Sequence, residues 1–294
     1  MWYLKKFKTL SEYDAYKKKE EYLLPNVSLI TDDKIVKYGD YEIIINHLYF
    51  EAIEPMTVSF SRNDIEYSLD KKRWKTLPAG VSSPTINAGE KIYFKASGLV
   101  PMQDWDEGNV GIGTFSCTGK CNVGGNIMSL LYGDDFVGQT SLKGTYQFYK
   151  LFNNNTKIVD ASQLVLPATT LAEQCYSSMF SGCTSLTTAP ELPATTLANY
   201  CYGYMFYICT SLTTAPELPA TTLAECCYRY MFDGCSKLNH ITMLATNISA
   251  SNCLSDWVSG VASTGTFIKN PNMTSLPTGT SGIPSGWTVQ NYAN

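Results

Sequence analysis

The residue types that could carry out catalysis are few in this sequence, and they lie far apart. There are two histidines, His47 and His240, and neither has a plausible nucleophile beside it in sequence. The G-x-S-x-G turn of a serine hydrolase and the G-x-x-x-x-G-K-[ST] phosphate loop do not occur. We therefore predict a protein that is not an enzyme and that uses no cofactor.

Acidic residues form one short cluster in the segment 104–108, which reads DWDEG. Asp104 could begin a calcium-binding loop, but the twelfth position of that loop is Phe115, where a bidentate Glu is needed. Two suitably spaced carboxylates can also hydrolyse a glycosidic bond. A carbohydrate-active enzyme is thus the least favoured alternative, and no metal site is predicted.

The sequence contains ten cysteines, which could form disulfides, bind a metal or act in redox chemistry. Cys117 and Cys121 are separated by three residues and could form a redox pair, although two buried or loop thiols are the favoured interpretation. The N-terminal sequence lacks the apolar core and cleavage site of a secretory signal, so we expect reduced thiols. No C-x-x-C pair occurs, which argues against metal ligation.

The composition is typical of a β-rich or repeat protein. The 294 residues are enough for about two domains, and 44% hydrophobic residues are enough for a packed core. Charged residues make up only 16%, and the net charge is −4, so nucleic acid is not an expected partner. There is no apolar run of about 18 residues, and membrane insertion is not expected either.

The strongest pattern is a repeat of 26 residues in the C-terminal half. Ungapped copies of P-A-T-T-L-A-x-x-C-Y-x-x-M-F-x-x-C begin at Pro167, Pro193 and Pro219. The register continues in degraded form to Cys253 and Trp257, and it extends back across a two-residue insertion to Leu151–Phe152. We therefore predict about five stacked coils within residues 141–265, with atypical coils at both ends acting as caps.

Within each repeat, the spacing predicts one short helix and one short strand. Cys175, Met179 and Cys183 are four residues apart, which is typical of an apolar helix face. The Thr-rich stretch 185–189 predicts a strand. Because strands lie ~4.8 Å apart and packed helices ~8–10 Å apart, we expect the strand side to form the inside of a curve. The wider spacing on the helical side would keep the repeat cysteines too far apart for disulfides.

The repeat core resembles the BspA-like, or treponemal-type, leucine-rich repeat, through the motif M-F-x-x-C-[TS]-x-L at residues 179–186. The resemblance covers residues 150–260. It implies a curved leucine-rich-repeat solenoid that binds protein or glycan at surfaces, including in bacterial adhesion, and it implies no catalytic residues. The whole chain is also similar to proteins of Bacteroidales and their phages, in which such repeats follow a small β-domain and precede a tail like GIPSGWTV at residues 282–289.

The N-terminal half is predicted to contain two β-rich units. Residues 1–40 fit a β-α-β-β docking unit, in which the capping-box pattern Thr9–Glu12 begins a helix and Asp32–Asp33 forms a hairpin turn. Short strands separated by turn signals in residues 41–140 favour a β-sandwich-like domain. With a C-terminal cap or tail at residues 266–294, the expected fold class is mixed α/β and β-rich, ending in the curved solenoid.

Binding surfaces are predicted on both sides of the repeats. The strand side is the first choice, because solenoids often bind on their concave side. Its candidate residues are Thr187, Thr188, Glu191, Thr213, Thr214 and Glu217. The helical side could carry an aromatic patch of residue types that anchor interfaces, although ordinary packing between coils is the favoured interpretation. The residues of this patch are Tyr204, Tyr207, Arg229 and Tyr230.

These features together predict a non-catalytic binding or structural protein. The favoured interpretation is a phage virion component in a tail, fibre or head-decoration position, since virion proteins are made in the host cytoplasm, where thiols stay reduced. The alternative is a bacterial cell-surface adhesin of the BspA-like type. The expected partners are other virion proteins, or a protein or glycan of the host surface, and self-association into a homo-oligomer is expected as well.

We expect Met205→Ala to lower the free energy of unfolding by ~2–5 kcal/mol, because Met205 occupies a core position of the repeat. Urea unfolding followed by circular dichroism measures the difference. A loss below ~0.5 kcal/mol would place the Met205 side chain in solvent and would contradict the predicted register.

Overall fold

The computed structural model describes residues 27–30, 35–38, 41–44, 46–96, 98–104 and 109–293. Its first element is an antiparallel three-stranded sheet of β1 (Val27–Ile30), β2 (Ile35–Tyr38) and β3 (Tyr41–Ile44). The hairpin predicted around Asp32–Asp33 is confirmed, since Ile30 pairs with Ile35. The helix predicted after Thr9 lies outside the described residues.

The middle of the chain is built on one six-stranded mixed sheet. Its order is β13-β12-β4-β8-β6-β7, and all neighbours are antiparallel except β12 and β13. The strands of this sheet are β4 (Leu48–Ala52), β6 (Ile65–Ser68), β7 (Lys75–Leu77), β8 (Lys91–Lys95), β12 (Cys121–Asn126) and β13 (Ile158–Val165). The β-rich character of the predicted fold is therefore present.

Two pairs of short strands accompany this sheet, together with one short helical segment. The pairs are β5 (Val58–Phe60) with β11 (Phe115–Cys117), and β9 (Met102–Asp104) with β10 (Asn109–Gly111). Helix α1 (Ser129–Tyr132) runs into the 3-10 helix Gly133–Phe136. Phenylalanine rings from four segments form the core between them, namely Phe50, Phe94, Phe115 and Phe152. The strands outside the six-stranded sheet in residues 46–136 thus form two-stranded pairs, where a sandwich would have a second full sheet.

The repeats form a stack of turns held together by backbone hydrogen bonds. In the coil at residues 172–183, every second N–H donates to a carbonyl of the next coil, as in Tyr176 to Cys201 and Phe180 to Met205. These N···O distances are 2.8–3.0 Å. The intervening N–H groups close turns onto the carbonyl three residues back, as in Met179 to Tyr176 at 3.2 Å. We call the coils of residues 146–260 the repeat stack.

The predicted helix in each coil is wrong, and the backbone dihedrals show why. Every fourth residue has a positive φ: in one coil Gln174 at 52°, Ser178 at 55° and Gly182 at 74°. A right-handed α-helix has no such residues and keeps its N–H groups for itself. We call this chain of successive turns, which repeats every four residues, a turn ribbon. Like a helix, it puts Cys175, Met179 and Cys183 on one buried side, but its alternate N–H groups are free to donate to the next coil.

The prediction of a curved leucine-rich-repeat solenoid is wrong for the same reason. Backbone hydrogen bonds set the coil spacing on the turn side, so the argument from wide helix packing no longer applies. The predicted strand at residues 185–189 is reduced to isolated parallel bridges at one residue, Thr188, which pairs with Asp160 on one side and Thr214 on the other. Regular strands return only at the end, as the parallel set β14 (His240–Met243), β15 (Thr266–Lys269) and β16 (Thr288–Asn291).

Aromatic rings and thiols line up in ladders inside the repeat stack. One ladder stacks Tyr176 on Tyr202 with ring centroids 5.8 Å apart, and another stacks Phe180 on Phe206 at 5.7 Å. The predicted two-residue insertion is confirmed, because Phe152 stacks on Phe180 at 5.1 Å. Thiols add a hydrogen-bonded ladder, in which Cys209 donates to the Phe180 carbonyl and Cys235 to the Phe206 carbonyl.

Ile208 tests whether each coil is a turn ribbon or a helix. It has a φ of 58° at the position where neighbouring coils have Gly182, Gly234 and Gly260. We expect Ile208→Gly to be more stable than Ile208→Ala by about 1 kcal/mol, because a Cβ is strained at positive φ. In a helix the order would reverse by about the same amount. Urea unfolding of both variants decides the sign, and an Ala variant that is the more stable would contradict the turn ribbon.

The buried thiols predict a loss of stability at alkaline pH. Burial raises the pKa of Cys175 and of Cys235 to about 12, whereas an unfolded thiol titrates near about 8.5. The native state therefore holds its protons where the unfolded state releases them, so stability is fully present below about pH 8.5 and falls as pH rises towards 12. We expect a slope of about 1.4 kcal/mol per pH unit for each such thiol.

Urea unfolding at a series of pH values from 8 to 11 measures this slope. Cys175→Ala is the matched control: its stability at neutral pH is lower, but its slope should be shallower by one thiol. An unchanged slope in this variant would show that Cys175 titrates in the native protein.

Candidate functional site

A groove lined by tyrosines opens on the turn side of the repeat stack. It spans three coils and has a volume of about 320 Å³. We call it the tyrosine groove, and its lining residues are Tyr149, Lys150, Gln174, Ser177, Ser178, Tyr200 and Tyr204. Neighbouring side chains extend its rim, because Tyr204 stacks on Tyr230 with ring centroids 4.9 Å apart.

The groove arises from a difference in side-chain size between equivalent positions of successive coils. In each turn ribbon two residues enter the core and the next two lie on the outer side of the ribbon. Cys175–Tyr176 are thus in the core, and the pair 177/178 lies at the bottom of the groove, where Ser177 is 4% and Ser178 9% exposed. In the middle coil that outward pair is Ser177–Ser178. The preceding coil has Tyr149–Lys150 there, and the following coil has Gly203–Tyr204. Serines therefore form the floor, and longer side chains form the two walls.

The walls are held by contacts between the side chains themselves. Gln174 Nε2 donates to the Tyr146 hydroxyl at 2.8 Å, and the Lys150 ammonium lies 5.1 Å from the centre of the Tyr149 ring. The Arg229 guanidinium lies 5.1 Å from the Tyr230 ring, and Tyr204 meets Tyr207 edge to face at 5.8 Å. The four residues predicted as an aromatic patch are thus brought together, and they form one side of the rim.

The pKa values of Tyr146, Tyr200 and Tyr204 are raised, so these three phenols stay neutral at physiological pH. Burial raises the pKa of Tyr204, with the Arg229 charge acting against it, and burial also raises the pKa of Tyr146. A hydrogen bond with Cys226 raises the pKa of Tyr200. A hydrogen bond with Tyr230 raises the pKa of Arg229, which stays a cation. The groove therefore offers ring faces, neutral hydroxyls and an amide beside two positive charges, those of Lys150 and Arg229.

Sequence reasoning did not find the half of the groove that comes from the first coil. Tyr146, Tyr149 and Lys150 lie ahead of the two-residue insertion, where the repeat motif has disappeared. A signal existed nevertheless. Phe152 was already aligned with Phe180 at an offset of 28, and the same offset aligns Tyr146 with Gln174 and Lys150 with Ser178.

The predicted strand-side residues lie in line, and several already bond within the chain. Thr187, Thr188, Thr213 and Thr214 are exposed on neighbouring coils. The Thr187 hydroxyl donates to the Val159 carbonyl at 2.9 Å. The Glu217 carboxylate accepts from the Tyr292 hydroxyl at 3.1 Å, and this bond raises the pKa of Tyr292. Glu191 is exposed on the same side. This face is therefore a hydroxyl-rich ladder whose groups are partly engaged.

The residues considered for catalysis are not brought together. His47 Nε2 lies 2.9 Å from Asp134 Oδ1 in the β-rich middle of the chain, while His240 lies in β14 and pairs with Thr266. Residues 105–108 of the acidic cluster lie outside the described residues. Within the described part of the chain, no three His, Cys, Asp or Glu side chains are placed to hold a metal ion. The same residues include no helix with the length and apolar character needed to cross a bilayer.

No protein-family model, no curated protein and no solved structure matches this chain. Its class is therefore defined by its own architecture: a β-rich protein in which a mixed sheet continues into a stack of hydrogen-bonded turn ribbons. A function must be argued from the surface that this stack presents.

Proposed function

We propose that this protein is a non-catalytic binding protein that recognises glycans through the tyrosine groove. The observation that carries the proposal is the serine floor between two walls of longer side chains. Ligand sites are concave, with apolar and aromatic surface and a few polar groups that fix orientation. The tyrosine groove combines these features on a scaffold whose backbone is hydrogen-bonded on both sides.

The dimensions and chemistry of the groove fit one sugar ring. Its walls are two coil steps apart, or about 10 Å at ~4.8 Å per step. A ligand atom lies ~3.5–4.0 Å from each wall, so the space between the walls holds a single layer of ligand atoms, such as one ring. Tyrosine ring faces suit the apolar C–H face of a pyranose. The Ser178 hydroxyl and the Gln174 amide suit its hydroxyl groups, while the Ser177 hydroxyl already donates to the Gly203 carbonyl at 3.0 Å. Lys150 and Arg229 favour a sugar that carries a carboxylate or phosphate.

Affinity from one such groove is modest, since a typical hydrogen bond contributes only about 0.5–1.5 kcal/mol net. Several copies presented together would raise it through effective concentration. The virion component that the sequence predicts would supply such copies, and so would a cell-surface adhesin. Both locations stay predictions, and mass spectrometry of purified phage particles or of cell-surface fractions tests them.

Ser178→Tyr is the sharpest test of the groove. Tyrosine already occupies the equivalent positions 204 and 230 at the same positive φ, so the stack should tolerate it while the floor fills. On an array of bacterial and mucin-type glycans, we expect the wild type to bind a subset. We expect Ser178→Tyr to bind that subset at least about tenfold more weakly, or about 1.4 kcal/mol.

Two control variants separate the groove from other surfaces. Asn252→Tyr introduces the same ring at a positive-φ position of the last coil, outside the groove, and should leave binding unchanged. The variant Thr188→Lys/Thr214→Lys alters the strand side alone. Loss of binding in this variant with normal binding by Ser178→Tyr would transfer the site to the strand side. Binding to a purified surface protein and to no glycan would contradict the ligand class.

A further inference from the structure

Two cysteines lie together where the β-rich middle of the chain meets the first coil of the repeat stack. Cys117 ends β11, and Cys121 begins β12 after a three-residue turn. Cys117 is the one cysteine of the ten that is partly exposed, while Cys121 is buried. All ten lie in the described part of the chain, so this pairing of an accessible thiol with a buried one occurs once.

The turn between the two cysteines is held tightly on both sides. The Thr118 N–H donates to the Thr57 carbonyl, and the Lys120 N–H donates to the Glu54 carboxylate at 2.8 Å. A Cβ on Gly119 would lie 2.8 Å from the Pro55 carbonyl oxygen, so the turn fits closely against the segment that precedes β5. The two cysteines therefore stay next to each other as long as the domain is folded.

Both sulfur atoms face the same short segment. Asn155 Nδ2 donates to the Cys117 sulfur at 3.3 Å, and the Cys121 sulfur lies 3.9 Å from the Lys157 carbonyl oxygen. A hydrogen bond between the two thiols, followed by burial, raises the pKa of Cys121. Cys183 lies near them, but its thiol already donates to the Phe152 carbonyl at 3.1 Å.

We propose that Cys117 and Cys121 form a redox-active dithiol that is oxidised to an intramolecular disulfide by small disulfides such as glutathione disulfide. The Cys117 thiolate attacks one sulfur of the small disulfide, which gives a mixed disulfide and releases one thiol. The Cys121 thiolate then attacks the Cys117 sulfur, which forms the Cys117–Cys121 bond and releases the second thiol. Two protein thiols are oxidised, one small disulfide is reduced, and both protons pass to the released thiols.

The burial pattern decides which thiol reacts first. Attack on an external disulfide needs access, and Cys117 is partly exposed, whereas the repeat-stack cysteines are buried. Resolution needs a Cys121 thiolate, and burial of Cys121, which persists after Cys117 has reacted, disfavours that thiolate at neutral pH. The mixed disulfide on Cys117 should therefore accumulate at pH 7 and convert to the internal disulfide faster at pH 9.

The test treats the full-length native protein with glutathione disulfide, then traps the remaining thiols with an alkylating agent after denaturation. Lys120 lies between the two cysteines, so trypsin separates them into two peptides that only a disulfide can hold together. We expect eight alkylated cysteines, ten minus two, and a joined peptide pair that separates on reduction. Cys121→Ser should stop at one glutathione on Cys117, and Cys117→Ser should not react.

Cys201→Ser is the matched control, because it removes a buried thiol of the repeat stack and should leave the reaction unchanged. Cys121→Ala serves as a second resolving-thiol variant, and thermal unfolding of every variant confirms that it is folded. Persistent glutathionylation of the wild type at pH 9 without the joined peptides would overturn the proposal. A disulfide between Cys117 and Cys183 would overturn it as well.

Discussion

The hydrogen bonds that alternate N–H groups donate from one coil to the next determine the rest of the repeat stack. In a helix every N–H is used within the segment, so neighbouring helices meet only through side chains. Here the main-chain N–H groups of Tyr176, Ser178 and Phe180 donate to carbonyl oxygens of the next coil, with N···O distances of 2.9–3.0 Å. The coil spacing is therefore a backbone property, and it does not depend on which side chains fill the core.

This constraint explains the positive φ values and the ladders together. Turning the chain so that alternate N–H groups point along the stack requires a left-handed residue every fourth position, even where that residue is Tyr204 or Ile208. Identical spacing then places identical residues directly above one another. The rings of Tyr176 and Tyr202 and the thiols of Cys209 and Cys235 fall into register as a result. The strain of the left-handed residues is offset by main-chain pairing and buried contact.

The features of the repeat stack that depend on side chains could be predicted from the sequence. The features that depend on backbone dihedrals, namely the turn ribbon and the coil spacing, could not. Period, core positions, the insertion before Pro167 and the outward pairs follow from comparison of the repeats. A spacing of four between Cys175, Met179 and Cys183 fits a helix and a turn ribbon equally well. Non-glycine residues rarely adopt a positive φ, so propensity favoured the helix, and curvature was inferred from it. The groove depended on the first coil, where the motif is no longer recognisable.

The two-in, two-out order of each turn ribbon separates the residues that build the stack from those that shape its surface. The pairs at 177/178, 203/204 and 229/230 are Ser-Ser, Gly-Tyr and Arg-Tyr, while the core around them is repeated. The depth of the surface can thus change from one coil to the next, in steps of ~4.8 Å along the stack. A second coil with small residues at these positions would widen the groove by one step without disturbing a buried contact. The length of ligand that such a protein accommodates is therefore set by the number of adjacent coils that carry small residues at these positions.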